Sequence, residues 1–88
     1  MTSLHPDDER VMFAEGPLTF ADWLERVDQE TVKITKSFGR DDFRDWEFAD
    51  AFENGVEPRR AAIGMLSADG AIGQEFLRLA GIEPEEDW

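Results

Sequence analysis

Apolar positions between Phe20 and Phe38 repeat at helical spacing. Advanced by about 100° per residue, Phe20, Trp23, Leu24, Val27, Thr31, Ile34 and Phe38 fall in one stripe roughly 100° wide, the pattern of a core-facing helix. Thr19 is a suitable N-cap, with Asp22 three residues on as a partner resembling a capping box. Leu18, before the cap, is placed to staple onto Trp23. The spacing predicts a helix from about Phe20 to Ser37 that stops at Gly39.

Shorter segments flank this spine. Pro6 to Ala14 reads as a short helix, with Pro6 at a first helical position and Asp7, Asp8 and Glu9 matched to the helix dipole. Arg40 to Trp46 is an acidic connector, a loop or a single helical turn. A helix from about Glu47 to Glu53 ends at Asn54-Gly55. Glu57-Pro58 starts another, with Ala61, Ala62, Met65 and Leu66 on its inner face and a break at Asp69-Gly70. A last helix, Ala71 to Leu79, aligns Ile72, Phe76 and Leu79 and ends at Gly81. No long alternating Val/Ile/Thr run is present, so strands are not expected. The expected fold class is all-α: one small domain of four or five short helices over residues 1–82, helix 2 (about 20–37) as its spine, and a mobile acidic tail over 83–88.

Composition narrows the chemistry. The chain has 88 residues, 9 Lys and Arg against 21 Asp and Glu, and a net charge of −12. Its 41% hydrophobic content, with seven Phe and three Trp, suffices for a folded domain. A domain this small buries only about 60% of its unfolded surface. With no Cys, disulfides, thiolate metal sites and a cysteine nucleophile are excluded. No apolar run approaches the ~20 residues of a membrane span, and Met1 to Asp8 lacks the features of a signal peptide. A cytoplasmic location is the expectation. The acidity argues against direct binding of nucleic acid or anionic lipid, and Arg59-Arg60 is the sole adjacent basic pair. A partner chosen by charge is expected to be basic or itself nucleic-acid-binding.

The middle of the chain resembles a family of small acidic bacterial and phage proteins of unknown function. In that family a Thr/Ser-Phe-x-x-Trp helix, here Thr19-Phe20-Ala21-Asp22-Trp23, precedes an Asp-rich connector. An aromatic-x-Asp-Ala-aromatic-x-x-Gly-x-x-Pro-x-x-Ala-Ala segment follows, here Phe48 to Ala62. The likeness covers Leu18 to Gly70. The chain departs from it at Arg44, where a proline is common, and adds Ile72 to Trp88. The resemblance implies a small helical protein of phage, prophage or actinobacterial type, and implies no activity.

Nothing in the residues points to catalysis, so the chain is not expected to be an enzyme. His5 is the one histidine and has no second imidazole to work with. Asp41, Asp42, Asp45 and Glu47 are close in sequence but lack the alternation and central glycine of a calcium loop. No phosphate-binding glycine loop or nucleophile motif occurs, and no cofactor is expected. The aromatics read first as core, with Trp46 in the connector the candidate for exposure and Trp88 a candidate anchor at the end of the tail.

Charge is the more informative feature. Residues 41–57 carry seven acids and one Arg, and 83–87 four acids. Were 41–57 wholly helical, it would span roughly 24 Å with one acid per ~3.5 Å, near the per-strand charge spacing of DNA. Three readings follow. The first is a small protein-binding accessory, inhibitory or regulatory protein whose contact residues are Asp41, Asp42, Asp45, Trp46, Glu47, Asp50 and Glu53. The second is a nucleic-acid mimic blocking a DNA- or RNA-binding protein. The third is a self-associating structural protein, as a homodimer built on helix 2.

Overall fold

The computed structural model describes residues 10–43 and 46–83, apart from the Asp41 side chain. The expectations for His5, Pro6 to Glu9, Arg44, Asp45 and residues 84–88 lie outside the described residues. Two strands open the described chain, β1 (Arg10–Phe13) and β2 (Gly16–Thr19). Four helices follow: α1 (Phe20–Thr35), α2 (Phe48–Glu53), α3 (Pro58–Ala68) and α4 (Ala71–Leu79), with a 3-10 turn at Arg40–Asp42.

The strands correct the all-α expectation: the fold is four helices plus a two-stranded antiparallel sheet. Arg10 to Phe13, assigned above to a first helix, is β1. It pairs with β2 in the register Arg10↔Thr19, Val11↔Leu18, Met12↔Pro17, Phe13↔Gly16. Tertiary contacts account for the difference. Phe13 is buried with its ring 5.9 Å from that of Phe52. Beyond it, the Ala14 amide donates to Glu57 Oε2 at 2.9 Å, tying the hairpin tip to the start of α3. Gly16 has φ +122°, a conformation side chains other than glycine's rarely adopt. Arg10 and Met12 face outward while Phe13 is buried, so the period of two exists but over four residues only.

β2 runs directly into α1. Thr19 is its N-cap, Oγ1 accepting from the Asp22 amide at 3.1 Å. Replacing Thr19 by alanine is expected to cost about 1 kcal/mol, read as a lower urea midpoint with an unchanged slope. The expected stripe faces inward through Trp23, Val27, Thr31 and Ile34, while Phe20 and Leu24 pack partly buried at its edge. The helix ends two residues earlier than expected. Lys36 takes the left-handed cap conformation at φ 71°, and the Thr35 hydroxyl accepts from the Phe38 amide and donates to the Phe38 carbonyl, both at 2.8 Å. Gly39 has a different use. A Cβ there would lie 2.5 Å from Asp28 Oδ1, the oxygen that accepts the Arg40 amide at 2.8 Å.

The core lies between α1 and α3. Ala61, Ala62, Met65 and Leu66 are buried as expected, and the two alanines let α3 approach α1 closely. Pro58 opens α3 at its first turn, where a missing amide hydrogen costs nothing. At the centre sits Trp23, fully buried, with ring centroids 5.7 Å from Phe52, 6.0 Å from Phe20 and 6.4 Å from Phe48. Its Nε1–H donates to the Val56 carbonyl at 2.9 Å, so the polar end of the ring is satisfied inside.

Candidate functional site

Among the described residues, the acids expected to contact a partner are divided between two elements. Residues 41–57 are not a single helix. Asp41 and Asp42 belong to the 3-10 turn and α2 takes only Phe48–Glu53. Asp42 turns back to accept the Gly39 amide at 3.0 Å, capping its own turn. Glu47, Asp50 and Glu53 are exposed on and before α2, one turn apart. Glu57, the last acid of the run, is used by the hairpin tip. Asp45 lies outside the described residues.

Trp46 is partly buried rather than displayed. Its ring meets Phe48 edge-on at 5.4 Å and lies over Gly64 of α3, where a Cβ would come within 2.7 Å of Cζ2. Glycine at 64 therefore makes room for the indole. Phe48 receives the Arg40 guanidinium on its ring, 5.5 Å from the centroid. Arg40 and Trp46 are thus held by aromatic packing, and a truncation of Trp46 removes packing as well as any surface it offers.

The structure places a second feature that the sequence reading did not single out. On α4 the buried positions are Gly73 and Leu77, while Ile72 is 68% and Leu79 74% exposed. The apolar face aligned by spacing is therefore turned away from the core. Close approach decides this: a Cβ on Gly73 would overlap the Leu66 carbonyl oxygen, so α4 rests on the end of α3 through its glycine. Phe76, half-buried, joins Phe38 and Phe43 in an aromatic cluster with centroid separations of 5.7, 6.1 and 6.5 Å. Phe38, Asp42, Phe43, Ile72 and Phe76 line a cleft of about 260 Å³. A glycine in the middle of a short helix was the available signal, because it costs about 1 kcal/mol against alanine unless packing requires it.

A larger cleft of about 470 Å³ lies along the other side of α4, between Ala71, Gln74, Glu75 and Arg78 and the Gly81–Glu83 segment. There Arg78 donates to Glu75, and this hydrogen bond, reinforced by the carboxylate charge, raises the guanidinium pKa further. Both groups are solvent-exposed, so the pair adds little to stability. Among the described residues no group of three or more His, Asp or Glu is placed to hold a metal ion. Among them, too, no helix is long and apolar enough to cross a membrane.

Fold and surface together define a small mixed domain, a β-hairpin leading four helices, with an outward apolar face on its last helix. No family model, curated protein or solved structure matches the chain.

Proposed function

We propose that this chain is a small acidic binding protein that acts through protein–protein contacts, as an accessory, inhibitory or regulatory partner rather than as a catalyst. The observation that carries this reading is the outward face of α4. Ile72 and Leu79 are the most exposed large apolar residues of the helical part, and they continue a partly open aromatic cluster. Single exposed apolar side chains are ordinary, but a contiguous patch rimmed by polar residues marks an interaction surface. The exposed acids of α2 add long-range attraction toward basic partners, which raises association rates more than affinity.

Capture from a bacterial lysate with the tagged full chain tests the reading. A specific protein is expected to be retained at both low and moderate salt, because apolar contacts are not screened as exposed charges are. A protein that leaves at moderate salt would shift the contact to the acids of α2. Absence of any retained protein at either salt would overturn the reading.

A further inference from the structure

The geometry points to a cationic amphipathic helix of another protein as the occupant of the α4 groove. This inference rests on the protein-binding reading above and names the class of partner. The groove floor is the Phe38–Phe43–Phe76 cluster, its wall is Ile72, and Asp42 supplies a carboxylate at its edge. Leu79 lies one turn beyond Phe76 on the same helix face. From Ile72 to Leu79 the face runs about 10 Å, two helical turns. That length matches the i, i+3/i+4, i+7 anchors by which a helix lies in a groove. At about 260 Å³ the cleft falls just below the ~300–1,000 Å³ usual for small-molecule sites, and suits inserted side chains.

Charge selects among occupants. The chain carries −12, so a second copy brings a like charge to the same face, and an anionic membrane is repelled as well. At the groove, Asp42 is exposed, while Glu75, about 60° round the helix from Ile72, is paired with Arg78, so this pair brings no net charge to the flank. The Arg40 guanidinium is taken up over the Phe48 ring. A helix with Leu, Ile or Met anchors flanked by Lys or Arg complements the apolar floor, the Asp42 carboxylate and the net negative charge of the chain.

The test uses the full chain and a fluorescently labelled helical peptide of about 18 residues, roughly five turns, with Leu on one face and Lys on the other. Saturable binding by anisotropy is expected for the Leu/Lys peptide and not for a Ser/Lys peptide of equal charge. Ile72→Gln with Leu79→Gln is expected to weaken binding about tenfold or more, since buried apolar anchors dominate such contacts. Both positions are exposed and glutamine is a good helix former, so far-UV circular dichroism should be unchanged. Asp42→Asn keeps the oxygen that accepts the Gly39 amide and is expected to weaken binding about threefold. Neutralising Glu47, Asp50 and Glu53 together should weaken it less than the α4 double variant does.

The proposal is overturned if the Ser/Lys peptide binds as well as the Leu/Lys peptide, or if the α4 double variant binds like the parent. It is also overturned if sedimentation finds a dimer that the double variant dissolves, which gives the face to a second copy. Lysate capture separates the two levels. A partner still held by the α4 double variant ends the groove proposal and leaves the protein-binding reading standing, whereas an empty column ends the reading itself.

Discussion

Gly73→Ala should destabilise the protein by about 3 kcal/mol, although alanine is the better helix former. In an exposed helix interior the same change stabilises by about 1 kcal/mol. Here the new Cβ would overlap the Leu66 carbonyl oxygen and lie 2.9 Å from both the Leu66 carbonyl carbon and Asp69 Cβ. Two of these are backbone atoms, so no side-chain rotation relieves the clash. Either α4 lifts from the end of α3 or the α3 C-terminus shifts. The first exposes Leu77, which is fully buried, and the second disturbs the Asp69 amide bonds to the Met65 and Leu66 carbonyls that close α3. The expected readout is a melting temperature lower by roughly 12 °C or more, at about 4 °C or more per kcal/mol for a domain of this size. A variant as stable as the parent would show that α4 does not rest on α3 through its glycine. The outward setting of Ile72 and Leu79 would fall with it.

Trp23→Phe should cost about 3 kcal/mol, and Trp23→Ala about 5 kcal/mol. Phenylalanine keeps an aromatic ring among Phe20, Phe48 and Phe52 but leaves part of the indole volume empty. It also removes the donor to the Val56 carbonyl, whose loss inside the protein costs about 1–3 kcal/mol by itself. Domains of this size have about 5 kcal/mol or a little more in total, so the alanine variant is expected to be largely unfolded. Chemical denaturation followed by circular dichroism measures both. A loss under about 0.5 kcal/mol in the phenylalanine variant would mean that neither the buried hydrogen bond nor the volume of the indole holds the hairpin, α1 and α3 together.

Local rules were legible wherever one residue type settles one backbone problem. Thr19 caps α1 as its hydroxyl predicts, and Pro58 starts α3 where its ring is tolerated. The limits of α4 match the glycines at 70 and 81. The inner face of α3 follows from four apolar positions at helical spacing. Local chemistry did not locate the end of α1. Glycine at 39 reads as a cap, yet a lysine takes the left-handed position, because the Thr35 hydroxyl ties off the turn first.

The candidate site was only partly legible. The acids from Asp41 to Glu53 stand out in the sequence by number, but number does not give a face. The chain breaks the run into a 3-10 turn and a six-residue helix, and spends Asp42 on its own cap. Trp46 stands out as a large aromatic in an acidic stretch, and glycine at 64 lets it fold down onto α3. Neither event leaves a periodic trace, since one is a local hydrogen bond and the other a contact between residues far apart in the chain.

By itself the sequence determined the four helices from Phe20 onward, most of their ends, the composition of the core between α1 and α3, and a strongly acidic surface. These follow from spacing, capping and charge, which act within a few residues. The tertiary structure alone decided two things. It made Arg10 to Phe13 a strand, because four residues carry too little periodicity to choose, and the contact of Phe13 with Phe52 and the bond from the adjoining Ala14 amide to Glu57 choose for them. It also turned the apolar face of α4 outward, because hydropathy gives a glycine no weight while close packing gives it the decisive one.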